Sequence, residues 1–240
     1  MTENINQNGI EVKPLNWWER LKYIFISPSK AFENLKHHPR ILFPMLVILI
    51  GVLLLSLPTV NMMKVVIKEA ALEQYARMGI EMPEGFDSLM GIQVYTTIIF
   101  TVIAIAAVWL VKSALINAFS GFVNGTGTFK QAFSIIIYSY FPVFLGTIIK
   151  TVLTLITKQP NIVTSLAVFL PDSQATTFLY LLLGNLDIFV IWYQILAIIG
   201  ISKVYGINKK SSAVLVLGTW IVFILITSGL GAVGTKLAGF

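Results

Sequence analysis

The run ILFPMLVILIGVLLLSLPTVNMM, residues 41–63, places twenty-three residues in a row without a single charge. A helix rises 1.5 Å per residue and a bilayer core is about 30 Å thick, so about 20 apolar residues cross it. This run is therefore long enough to span. Two more uncharged runs, 88–111 and 211–235, have the same character. Stretches around 130–157 and 176–202 are interrupted only by Lys150 and Asp187. The pattern predicts an all-α, polytopic membrane protein: a bundle of five transmembrane helices at about 41–63, 91–123, 130–157, 176–202 and 211–235.

Composition agrees. Of 240 residues, 56% are hydrophobic and 12% charged, whereas soluble domains carry about 25% charge. Short connections leave no room for a separate soluble domain, so residues 17–240 read as one membrane domain behind a loose cytoplasmic tail at 1–16. The absence of cysteine removes disulfides, thiolate metal sites and a cysteine nucleophile. No cleaved leader is expected, because the first apolar run starts only at Ile41 and residues 1–16 are polar.

The net charge of +6 is a matter of distribution. Lys13, Arg20, Lys22, Lys30, Lys36, Arg40, Lys112, Lys130, Lys203, Lys209 and Lys210 fall on one side of the predicted membrane. Lys64, Lys68, Arg77, Lys150, Lys158 and Lys236 fall on the other, with Glu69, Glu73, Glu81, Glu84, Asp87 and Asp172. By the positive-inside rule the N-terminus is cytoplasmic, the C-terminus extracytoplasmic and the membrane the plasma membrane. The basic balance is a topology signal and not a nucleic-acid footprint.

Ahead of the first span, Asn16 precedes Trp17-Trp18-Glu19-Arg20-Leu21-Lys22-Tyr23-Ile24-Phe25, with Trp17, Leu21, Ile24 and Phe25 on one helical face. Ser27-Pro28 starts a second short helix bearing Phe32 and Leu35, and Pro39 ends it. These short cytoplasmic helices read as an interfacial collar beneath the bundle, built from Trp17, Trp18, Leu21, Phe25 and Phe32. Asn124-Gly125-Thr126-Gly127-Thr128 reads as a tight turn in which Gly125 and Gly127 take positive φ and Thr128 caps the third span. The apolar piece 162–170 is too short to span.

Asp187 is the one acid inside a span, expected near the middle of helix four, where an unpaired carboxylate costs about 2.5–3.5 kcal/mol. Counting from the outer helix ends, Lys150 lies at nearly the same depth, with Tyr138, Tyr140 and Asn185 close by. These five residues form a candidate intramembrane polar cluster, either a structural clamp or an ion relay. The clamp is favoured, because no chain of acids or histidines continues a relay. Pro142 removes a backbone hydrogen bond and predicts a kink in helix three, with neighbouring hydroxyls filling the gap. His37 and His38 have no further His or Cys to complete a metal site. No Gly-x-Ser-x-Gly elbow and no phosphate-cradling glycine loop occurs. Neither catalytic residues nor a cofactor site is expected.

In order and spacing these features resemble the Yip (Ypt-interacting protein) family of five-span membrane proteins, in its bacterial branch. The residues that carry the resemblance are Ser27-Pro28, Phe32 and Pro39, then Gly125-Thr126-Gly127-Thr128 and Tyr138-Ser139-Tyr140-Phe141-Pro142. Leu186-Asp187-Ile188-Phe189-Val190-Ile191-Trp192 and Lys209-Lys210 follow. The resemblance covers about residues 17–235. It implies a non-enzymatic helical bundle with a cytoplasmic N-terminus. Eukaryotic members bind small GTPases, a role the chain's lack of a long N-terminal domain does not support. Some bacterial relatives accompany ABC-type exporters in resistance to antimicrobial peptides and toxins. The resemblance thus implies an accessory or assembly subunit, its partners a permease, ATPase or adaptor subunit. The alternative is a small carrier or channel using Asp187 and Lys150. Self-association into a homo-oligomer stays open.

Overall fold

In a computed structural model of the chain, residues 13–160 and 162–237 are described. Most of the predicted tail therefore lies outside the described residues, as do the side chains of Asp172 and Lys236. The chain is all-helical: among the described residues there is no strand, only an isolated bridge between Ser165 and Asp187. The described residues form ten α-helices in succession: α1 Trp17–Ile26, α2 Pro28–His37, α3 Leu42–Ser56, α4 Val60–Met78, α5 Phe86–Phe119, α6 Phe129–Ser139, α7 Phe141–Thr157, α8 Phe178–Gly184, α9 Ile188–Tyr205 and α10 Lys209–Leu237. Five segments are long and apolar enough to cross a membrane: Leu42–Met78, Phe86–Val123, Phe129–Thr157, Ile188–Tyr205 and Lys209–Thr235. The protein is an all-α polytopic bundle.

The helices begin and stop where local chemistry dictates. Asn16 caps α1 through a reciprocal capping box with Glu19, and Thr128 caps α6 through one with Gln131, satisfying amide groups that the helix itself leaves orphaned. Pro28 opens α2, where a missing N–H costs nothing. Pro142 stands at the second position of α7, so the third span is interrupted at Tyr140. The Ser139 hydroxyl is buried and has no hydrogen-bond partner among the described residues, so it does not fill the gap expected of it.

Two compact units emerge. One comprises Leu46–Val108 and Phe144–Ile162. Its core is Val60, Val94 and Ile98, flanked by Met63 and Ile67. A 3-10 turn at Leu57–Thr59 joins α3 to α4, whose end is set by Gly79 at φ 67°. Lys68 donates to Asp87 at 2.8 Å, and Tyr75 meets Phe86 edge-on at 6.3 Å. The hydroxyls of Thr97 and Thr101 donate to carbonyls four residues back. Exposed hydroxyls on an apolar helix are thereby satisfied without water.

The other unit comprises Met1–Met45, Trp109–Val143 and Val163–Phe240. Here α9 is the hub, packed by α2, α6 and α10. α1 and α2 pack within this unit, α2 on α9 and α6 and α1 on α2 and α6. The Trp17 ring lies 4.9 Å from Phe43 and 5.7 Å from Phe141, and Phe25 lies 5.5 Å from Trp192 on α9. The inward face of α2 is Ala31, Phe32 and Leu35, all fully buried. Phe32 fits because position 200 on α9 is glycine: a Cβ there would overlap Ile135 and stand 3.1 Å from the Phe32 ring.

The turn at 124–128 differs from expectation in its backbone. Asn124 takes the left-handed conformation at φ 56°, while Gly125 and Gly127 do not. The glycines are required for space. A Cβ on Gly127 would come within 2.6 Å of the Tyr205 ring, which is fully buried and held by Asn117 at 3.0 Å. The Thr126 amide donates to the Tyr205 carbonyl, tying the turn to the end of α9.

Gly200→Ala should lower stability by about 1–3 kcal/mol by forcing Ile135 and Phe32 apart. Gly218→Ala, where a Cβ meets nothing within 4 Å, should be neutral or slightly stabilising. Thermal unfolding in detergent checks the pair; equal midpoints would mean that the Phe32–Gly200 contact contributes nothing.

Candidate functional site

Polar side chains buried within apolar segments gather at three places in the α9 unit. The first centres on Lys112. It counts among the charges of the cytoplasmic side, on a second span expected to run to about Val123; α5 runs past it to Phe119, and the residue is only 7% exposed. Its Nζ donates to Gln194 Oε1 on α9 at 2.5 Å and sits 4.4 Å from the Tyr193 ring centroid. Trp109, one turn before Lys112, meets the Tyr140 ring edge-on at 5.0 Å, and Tyr140 meets Tyr193 at 5.5 Å. A cation taken from water costs several kcal/mol unless donors find acceptors. Here one amide oxygen and one aromatic face share that task, and both are stronger in a dry surrounding. Among the described residues no carboxylate stands within ion-pair distance of Lys112. The Trp109 Nε1–H and the Tyr193 hydroxyl are buried without a partner there.

The second place is Arg20 on α1, 4% exposed. Its Nε donates to Asn34 Oδ1 at 3.2 Å, and its guanidinium lies beside the Tyr138 hydroxyl. Asn34 also accepts from the Leu15 amide and donates to the Lys13 carbonyl at 3.0 Å. One buried amide thus holds α1, α2 and the segment that leads into them.

The third is Asp187. It does not lie mid-helix: α8 ends at Gly184, α9 starts at Ile188, and Asp187 is its N-cap. The carboxylate accepts from the Phe189 amide at 2.8 Å and from the Thr164 hydroxyl. The bridge at Ser165 and the Leu166 amide on the Leu186 carbonyl fasten the 163–169 segment to the same break. A carboxylate at a helix N-terminus meets orphaned amides and the positive end of the dipole, which explains the break in the apolar stretch 176–202. Asn185 closes α8 and donates to the Leu181 carbonyl at 2.9 Å. Lys150 stands on α7, partly buried, in the other unit.

Of the five residues singled out in the sequence, Tyr140 belongs with Lys112, Tyr138 with Arg20, and Asp187 with Thr164. Lys112, Gln194, Trp109, Arg20, Asn34 and Thr164 were missed. A signal for the first group was present. Lys112, Tyr140 and Gln194 each stand eleven residues in from Val123, Phe129 and Tyr205, helix ends that meet on one side. At 1.5 Å per residue that is the same depth, about 16 Å. Chemically, these arrangements tie helices together. Among the described residues no three His, Cys, Asp or Glu side chains come together as metal ligands; His37 Nε2 has Glu33 at 3.6 Å on the same helix.

Gln194→Leu should cost about 2 kcal/mol, because Lys112 loses its acceptor while staying buried. Adding Lys112→Met should return much of that loss, since two apolar residues no longer need each other. Unfolding midpoints of the singles and the double read this out. If the double is as damaged as the sum of the singles, Lys112 and Gln194 are not coupled.

No curated protein and no solved structure shows significant similarity to the chain. The Yip1 domain profile, in contrast, matches residues 22–230, which takes in α1 from Lys22 onward, all of α2, the first four apolar segments, the fifth as far as Leu230, and the Lys112 and Asp187 groups. The chain belongs to the Yip1 domain family.

Proposed function

We propose that the chain is a non-enzymatic accessory or assembly subunit of a larger membrane complex, most specifically an ABC-type exporter that protects against antimicrobial peptides or toxins. The observation that carries this reading is how the buried polar side chains are used. Lys112, Arg20 and Asp187 all hold helices or cap them, and among the described residues nothing beside them has the nucleophile–base or base–orienter relation that catalysis needs. A second observation supports assembly. The most apolar windows of Leu42–Met78, Phe86–Val123 and Lys209–Thr235 are only 22%, 17% and 22% buried, against 61% for Phe129–Thr157. Three spans therefore offer long faces to lipid or to the helices of a permease. The exporter in particular rests on the likeness to bacterial relatives.

The orientation follows from charge. Setting aside the buried Arg20 and Lys112, nine lysines and arginines remain on the side of the Thr126 turn, against six on the other with all its acids. That bias favours a cytoplasmic N-terminus and an extracytoplasmic C-terminus in the plasma membrane.

Purification from the native membrane in mild detergent through a C-terminal tag, followed by mass spectrometry, tests the reading. A stoichiometric ATPase, permease or adaptor subunit is the expected companion. A protein that purifies alone, or only with copies of itself, overturns the exporter assignment.

A further inference from the structure

α1 has two faces of different chemistry. Trp17, Arg20, Leu21 and Ile24 point inward, with Arg20 and Ile24 buried and Trp17 packed on Phe43 and Phe141. Trp18, Lys22, Phe25 and Ile26 fall at i, i+4, i+7 and i+8, a single helical face, and all four are exposed, Trp18 at 70% and Ile26 at 69%. This outward face inverts the expectation that Trp17 and Leu21 meet the surroundings together with Phe25.

We infer that the outward face of α1, with Lys30 beside it, is a binding surface for the headgroups of anionic phospholipids in the surrounding bilayer. Lys22 sits at the middle of the face, one turn from Trp18 and one turn from Ile26. Lysine is depleted at the core of a protein–protein interface. On an interfacial helix it belongs there, its stem over apolar neighbours and its ammonium at the phosphates. Lys30 is set in place from α2: its Nζ donates to the Tyr23 hydroxyl oxygen at 2.9 Å and lies 4.1 Å from that ring's centroid. It remains exposed, with donors left for a phosphate. The acids nearby are already engaged. Glu19 accepts from the Asn16 amide at 2.8 Å, and Glu33 has His37 at 3.6 Å. Lys130, Lys203, Lys209 and Lys210 are also exposed at the end of this unit where the 124–128 turn meets Tyr205. Each lysine close to an anionic surface favours it by about fivefold.

Trp18 is the reporter. The full chain is reconstituted in phosphatidylcholine vesicles holding equal mole fractions of brominated phosphatidylglycerol or brominated phosphatidylcholine. The Trp18 emission is taken as the difference between wild type and Trp18→Phe. Brominated phosphatidylglycerol should quench Trp18 about twofold or more above brominated phosphatidylcholine. That advantage should vanish in Lys22→Gln/Lys30→Gln, with unchanged helicity by circular dichroism. In the wild type it should also fall at about 1 M salt, where charges are screened beyond roughly 3 Å. Equal quenching by the two lipids overturns the inference, and so does an advantage that survives both the glutamines and salt. An unquenched Trp18 overturns it as well, since water or a protein partner would then cover the face.

Discussion

A polar side chain inside an apolar helix has only its neighbours to bond to, and that constraint organises the α9 unit. Lys112 reaches Gln194 and the Tyr193 ring; Arg20 reaches Asn34 and Tyr138; Asp187 takes the Phe189 amide and the Thr164 hydroxyl. The Lys112, Arg20 and Thr164 contacts each join separate segments of the chain. Removing a partner leaves a buried charge or dipole unanswered, at a cost comparable to a sizeable part of a domain's net stability. Apolar packing alone is poorly directional among helices that are greasy on every side. The polar contacts select one arrangement from many of similar apolar area.

Close approach does the complementary part. Gly200 lets Phe32 reach α9, and Gly125 and Gly127 leave room for the Tyr205 ring. The short N-terminal helices are therefore structural members, with buried faces of their own, and their other faces are free for the surroundings. Gln131 on the Lys36 carbonyl and Ser134 on the Arg40 carbonyl hold the end of α2 and the chain beyond it to α6. The result is a unit in which the segment before the first span is as well packed as the spans.

These features suit a protein whose work is to be held by others. Its intramembrane charges are committed to its own helices, and the unpartnered Trp109 and Tyr193 groups lie beside Lys112 in the interior. Membership of the Yip1 domain family fits a membrane role without specifying a reaction. What distinguishes such a chain is the chemistry of its outward faces: apolar along three spans, and mixed aromatic and basic on α1.

Solvent and fold class were legible in the sequence alone, because the length of an uncharged run is a one-dimensional property and bilayer thickness is a fixed ruler. The caps were legible for the same reason: Asn16 with Glu19 and Thr128 with Gln131 act within four residues of each other. The sites were not. Asp187 read as mid-span because leucines and isoleucines flank it on both sides, and only the meeting with Thr164 and Ser165, over twenty residues away, shows why the helix breaks there. Lys112 read as a charge of the cytoplasmic side because it ends an apolar run; that it is buried follows from Gln194, eighty-two residues on, which supplies its acceptor. Gly127 read as a turn residue by its backbone, whereas the ring of Tyr205 is the reason for it. Periodicity and run length are carried by neighbours in the chain. The partner of a buried polar group is chosen by the packing of helices, and that is decided only in three dimensions.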